Sequence, residues 1–124
     1  MSMSVEHFLS LSDAEQLQTI KDLNDIGQEE IIIDVLTGVG IDNLSVPLLG
    51  ELGRAYNNND KPEEAIKVFK AIDTEHRDAV WHYRCAYSHG SIASTNHEAY
   101  TSENMQQMLA LVDNGVRLAT KEDR

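Results

Sequence analysis

Three side chains able to do chemistry fall close together: His82, Cys85 and His89, at i, i+3 and i+7, share one face if their segment is helical. His97 follows and could supply a fourth ligand. Zinc accepts those atom types. Structural zinc sites, however, use cysteine pairs, and a single Cys with three His lacks that spacing, so the reading here is surface histidines around a buried or half-buried thiol. Cys85 and His89, one turn apart, also suggest a thiolate and its base. Nucleophilic catalysis needs in addition an orienting group, oxyanion donors and a cleft, and no motif supplies them: there is no glycine-rich phosphate loop, Gly-x-Ser-x-Gly elbow or His-Glu-x-x-His. Glu63 and Glu64 are placed to complement a helix N-terminus rather than to act as acid and base. The residues point away from an enzyme, and no metal or cofactor is expected.

Charge narrows the partners. The 124 residues hold 10 Lys and Arg against 21 Asp and Glu, a formal charge of -11. Nucleic acid and anionic membranes are excluded as generic partners, because tracking phosphates needs clustered Lys and Arg. The acidity is uneven: residues 1–60 carry a net -9, with Lys21 and Arg54 as their two bases, and residues 61–124 carry a net -2. Ile31-Ile32-Ile33 is far shorter than the roughly 20 apolar residues of a membrane span. One Cys excludes an internal disulfide, and the start lacks a signal-peptide pattern, so the cytoplasm is the expected compartment.

The elements that must position these residues read as helices, in a single domain over 1–124. Ser12-Asp-Ala-Glu15 is a capping-box pattern that opens a helix over 13–25, stopped by Gly27. Residues 28–37 place Ile31, Ile32, Val35 and Leu36 on one broad stripe, and Gly38 and Gly40 close it. Asp42 or Asn43 is the expected cap of a third helix reaching Asn58, with Pro47 in its first turn. Asp60 and Glu63 repeat the capping-box spacing before a fourth helix carrying Ala65, Ile66, Phe69 and Ile72. After a loop over 73–77, Asp78 caps a fifth helix from Ala79 to about His89, with Val80, Tyr83 and Tyr87 along one side. Residues 90–97 read as a loop. The last helix starts between Glu98 and Ser102 and runs to about Ala119, with a core stripe of Met105, Met108 or Leu109, Val112, Val116 and Ala119.

The segment Leu52-Gly-Arg-Ala-Tyr56, then Asn57-Asn-Asn-Asp-Lys-Pro-Glu-Glu-Ala65, then Phe69, resembles a tetratricopeptide repeat. The types have a physical reason: small Gly53 and Ala65 let two antiparallel helices approach, and Tyr56 and Phe69 fill the space beside them. Ala79-Val-Trp-His-Tyr-Arg84 looks like the start of a second unit, although Arg84-Cys85 replaces the Leu-Gly pair, Ala99 comes late for the helix-B alanine, and the register is open by one residue. The match covers 43–90 best and is similar to small bacterial tetratricopeptide proteins, some of them found among toxin and immunity gene sets.

That resemblance implies an all-α superhelix of about six helices in antiparallel hairpins, with the inner face of the first helices free for a partner. The first unit places Gly50, Arg54, Asn57 and Asn58 there; the second places Trp81, Cys85, Ser88 and His89. The competing reading is that Arg54 and Arg84 pair with local acids, that Asn57 to Asn59 is a turn and that Trp81 is core. The leading functional expectation is a non-catalytic protein that binds another protein, specifically an immunity protein that meets a basic toxin domain. A general adaptor or chaperone for peptides, and a homodimer formed through the terminal helix, are the alternatives.

Overall fold

The computed structural model describes residues 2–95 and 102–122 of the chain and, within them, the side chains of 2–92 and 106–119. Among these residues there are seven α-helices and no strand: α1 (Val5–Ser10), α2 (Asp13–Asp25), α3 (Glu29–Val39), α4 (Val46–Asn58), α5 (Pro62–Lys70), α6 (Ala79–Thr95) and α7 (Ser102–Glu122). Single 3-10 turns lie at Ile41–Asn43 and Thr74–His76. The all-α expectation therefore holds.

The helix ends show what the sequence dictates locally. At the start of α2 the capping box is complete, with Glu15 N–H donating to Ser12 Oγ at 3.2 Å and Ser12 N–H to Glu15 Oε1 at 3.0 Å. The Ser12 backbone N–H, and then its hydroxyl, hold the Glu15 carboxyl below the usual carboxylate range. Asp78 caps α6 as expected, its Oδ1 accepting from Trp81 N–H at 2.8 Å. Two other caps differ from expectation. Helix α4 is capped by Ser45, whose Oγ accepts from Leu48 N–H at 3.4 Å, while Asp42 and Asn43 sit in the preceding 3-10 turn. Asp60 does not cap α5, which begins behind Lys61 with no side-chain cap; Asp60 instead adopts φ 57° and terminates α4.

Further differences lie at the two ends of the chain. Helix α1, capped by Ser4, was not anticipated; it drives Phe8 fully into the core. Helix α6 continues through Gly90 to Thr95, where a loop was expected, and residues 96–97 of that expected loop lie outside the described residues. The stripes of α6 and α7 are also turned. Val80, Tyr83 and Tyr87 are 50, 42 and 59 % exposed, while Trp81, Cys85 and Ala86 face inward. On α7, Leu111 packs on the core, Met108 is half-buried and Gly115 is buried, while Leu109, Val112 and Val116 are 58, 38 and 50 % exposed; the Met105 side chain lies outside those described.

Consecutive helices pair, α2 with α3, α4 with α5 and α6 with α7, and each pair packs on the next through α3 against α4 and α5 against α6. The first helices touch in series, α2 on α4 and α4 on α6, which makes them one continuous face. At the first end of this row α1 closes on α3, so near that Val5 occupies the space a Cβ on Gly38 would need. The core centres on Phe69, Leu52, Ile32, Leu36, Ala55 and Ala65, all with essentially no exposure. Gly53 is required there: a Cβ would lie 2.7 Å from Phe69 Cδ1 and nearer still to Cε1 and Cζ. Trp81 packs edge-on to Phe69 at 6.5 Å and donates its indole N–H to the Phe69 carbonyl at 2.8 Å, so the aromatic pair locks α6 onto the end of α5.

Candidate functional site

The face made by α2, α4 and α6 is built around one buried carboxylate. Glu51, 4 % exposed, accepts from Arg54 Nη1 at 3.3 Å, from Arg84 Nη2 at 3.2 Å and from Asn24 Nδ2 at 3.3 Å, so a single acid ties the three helices together. Arg84 also donates to the Gly50 carbonyl at 3.1 Å, and Arg54 reaches Asp25 at 3.2 Å. A buried carboxylate is tolerated when charged donors satisfy it, and here two guanidinium groups do so. Arg54 and Arg84 thus pair with local acids, yet both remain partly exposed and line the surface beside Glu51.

Asn57 and Ser88 form the second tie. Asn57 Nδ2 donates to the Arg84 carbonyl at 3.0 Å, and the Ser88 hydroxyl donates to Asn57 Oδ1 at 2.7 Å. Both residues are buried, so their polar groups are satisfied by one another and not offered outward. Of the expected contact residues, Arg54 and Asn58 line a surface depression of about 250 Å³ with Tyr83, Arg84 and Tyr87, and Asn57 forms its floor. Trp81, Cys85, Ser88 and His89 are 8, 2, 0 and 7 % exposed and belong to the interior.

The surface positions of α6 are instead Val80, Tyr83, Arg84 and Tyr87, one residue earlier in register. Sequence reasoning missed them because the repeat register put Cys85 and Ser88 on the inner face, and the apolar spacing put Tyr83 and Tyr87 in the core. The available signal was the large Trp81, from which Cys85 and Ser88 follow at i+4 and i+7 on the same inward stripe.

Tyr83 and Tyr87 stand as a ridge. On one side lies the Arg54 and Asn58 depression; on the other an apolar groove of about 460 Å³ runs to Gly90 on α6 and to Met108 and Val112 on α7. A third hollow, of about 320 Å³, continues from Arg84 past Gly50 and Pro47 to Lys21 and Leu17 on α2. Lys21 and Arg54, the two bases of the first sixty residues, therefore both lie on this face.

The reactive residues read first from the sequence do not assemble. His82 Nδ1 lies 2.8 Å from the Asp78 carbonyl, and the Cys85 thiol, pushed up to about 11 by burial against the opposing pull of Lys70 and Arg77, stays protonated at neutral pH. His97 lies outside the described residues. Among the described residues, metal-ligating atoms gather within 4.8 Å at Asp73, Glu75 and His76, all on an exposed turn. Glu64 pairs with Lys67 at 3.5 Å on the open surface of α5. Among the described residues no helix is long and apolar enough to cross a membrane. No family model matches the chain, and comparison with curated proteins and with solved structures finds no match to either.

Proposed function

We propose that this chain is a non-catalytic helical-repeat protein that binds another protein through the α4 and α6 face, and that the partner is a basic domain of the toxin class. The observation that carries the reading is the tyrosine ridge: Tyr83 and Tyr87 stand half out of the surface between Arg54 and Asn58 on one side and an apolar groove on the other. Tyrosine and arginine around a hollow are residue types enriched in protein interfaces, tyrosine because it presents large rigid area at small entropic cost and arginine because its planar guanidinium stacks and donates in a fixed fork. The serial contact of α2, α4 and α6 supports a tetratricopeptide-like stack, in which that face is the open one. The charge of -11 supports a basic partner, which the field of the whole chain draws in before contact, while at the face itself Lys21, Arg54 and Arg84 are offset by Asp25, Glu51 and Asp78.

The test is recovery of the partner with a tagged chain, in parallel with Tyr83→Ser/Tyr87→Ser. One basic protein should be retained by the wild type, lost by the variant, and should associate more slowly as salt rises. Equal retention by both chains places the interface elsewhere, salt-independent association removes the steering role, and retention of many unrelated peptides replaces a dedicated inhibitor by an adaptor.

A further inference from the structure

The helices on either side of the α2 to α6 row differ in what they leave exposed. At the first end α1 lays Val5 and the fully buried Phe8 against α3. Along the row α3 is covered by α4 and α5 by α6. Helix α7 holds the position after these and packs chiefly on α6, through Met108, Leu111 and Gly115, the last so close that its Cβ would lie 3.2 Å from His82 and Tyr83. One residue round the helix runs a second apolar seam, Leu109, Val112, Val116 and Ala119, spaced 3, 4 and 3, the repeat of a helix-pairing surface. Its three large members are 58, 38 and 50 % exposed. Large apolar side chains left exposed in a line along a helix make a surface another helix can cover, and here that line runs beside the exposed Gln106, Asp113 and Arg117.

Charge identifies the occupant. A basic partner is drawn to the first sixty residues, with their net -9, whereas residues 102–122 carry Glu103, Asp113 and Glu122 against Arg117 and Lys121, a net -1. The polar flank of the seam is neutralised within the helix, where Arg117 bonds Asp113 at 3.0 Å. For a second copy of a chain charged -11, a nearly neutral face is the place of least repulsion. The seam is also self-complementary in size. Turned antiparallel about the level of Asn114, it sets Leu109 against Ala119 of the other copy and Val112 against Val116, large against small and medium against medium.

We infer that α7 is a self-association helix and that two copies of this chain pair antiparallel through Leu109, Val112, Val116 and Ala119. Val112 also borders the groove beside Tyr83 and Tyr87, so the pairing is tested on the purified chain without any partner, where its failure is distinguishable from failure of the reading above.

Sedimentation equilibrium from about 1 to about 200 µM tests it, a range that reaches weak micromolar pairs. The mass should rise from that of one 13.9 kDa chain toward twice that value, and the association should tighten with added NaCl as like-charge repulsion is screened, opposite to the sign expected for a basic partner. Val112→Asp should remain monomeric with an unchanged helical circular dichroism spectrum, and Val112→Leu, which keeps the seam apolar, should still dimerise. Orientation is read by oxidation: a mixture of Leu109→Cys and Ala119→Cys chains should cross-link between the two variants, because their levels coincide, while the same positions in like copies lie ~15 Å apart along the axis. A wild-type chain monomeric throughout overturns the inference, as does a dimer that Val112→Asp leaves intact. Efficient cross-linking of Leu109→Cys with itself overturns the antiparallel pairing.

Discussion

Cys85 and Ser88 on α6 show that partners, more than residue type, decide what is inside. Ser88 is fully buried at small cost because its hydroxyl donates a hydrogen bond to Asn57 Oδ1 at 2.7 Å, and Cys85 behaves as a small apolar residue beside Trp81. Tyr83 and Tyr87 are consequently outside, and a reading from hydrophobicity alone inverts the helix. Gly53, by contrast, was legible: its neighbour Phe69 and the small Ala65 opposite follow from the spacing 52–53, 65 and 69. The buried thiol gives a pH prediction. Burial raises it from 9.0 to about 11, so the folded chain keeps a proton that the unfolded chain releases. The stabilisation is fully present below about 9 and is lost as pH rises through about 11. Cys85→Ala should be less stable at pH 7 by about 1 kcal/mol, from the lost sulfur atom, and should lose less stability than the wild type between pH 9 and 11. Urea unfolding midpoints across that range check it, and parallel slopes in the two proteins would remove the thiol from the account.

Element boundaries divide into those a local pattern dictates and those a competing pattern takes over. Ser12 and Glu15 form the capping box their spacing announces, and Asp60 and Glu63, with the same spacing, do not. The reason is the end of α4. Lys61 N–H bonds the Tyr56 carbonyl at 2.9 Å and Asp60 N–H the Asn57 carbonyl at 3.3 Å, a Schellman closure that needs residue 60 in the left-handed region. Gly27 serves the same position after α2, with Gln28 N–H on the Leu23 carbonyl at 2.9 Å and φ 77°. Asp60 is thus committed to stopping one helix and cannot start the next. An aspartate pays a steric penalty in that region that glycine does not, so Asp60→Gly should stabilise the protein by about 0.5–1 kcal/mol, read as a higher urea midpoint with an unchanged slope. A lower midpoint would mean that the carboxylate makes a compensating contact at the start of α5. The seam of α7 was mistaken for a related reason: two apolar stripes lie one residue apart there, and contact with α6, not periodicity, selects the inner one.

At the scale of the whole molecule, the helical class and the order of the elements from α2 onward were readable from the sequence, since amphipathic spacing is a local property; the placement of charge was not, since it depends on which faces the pairs bury. The folded chain gathers Lys21, Arg54 and Arg84 on the face of the first helices, and Glu51 joins two of them inside. On the outer surface, α3 carries Glu29, Glu30 and Asp34 with no base of its own, while α5 sets Lys67 and Lys70 against Glu63 and Glu64. Exposed pairs such as Lys67 with Glu64 contribute about 0–1 kcal/mol each and do not offset a net charge of -11. The compact state therefore carries an uncompensated repulsion that salt relieves, because the Debye length falls from ~10 Å at 0.1 M to ~3 Å at 1 M. The interior Glu51 ties are shielded from that screening by burial, so added salt removes more repulsion than attraction. At micromolar concentration, where self-association contributes least, raising NaCl from ~0.02 to ~0.5 M should lift the melting temperature by about 3–6 °C, corresponding to roughly 1 kcal/mol for a domain of this size. Differential scanning calorimetry measures it, and a melting temperature that stayed flat or fell would show that surface ion pairs such as Arg54 with Asp25 outweigh the repulsion among the acids.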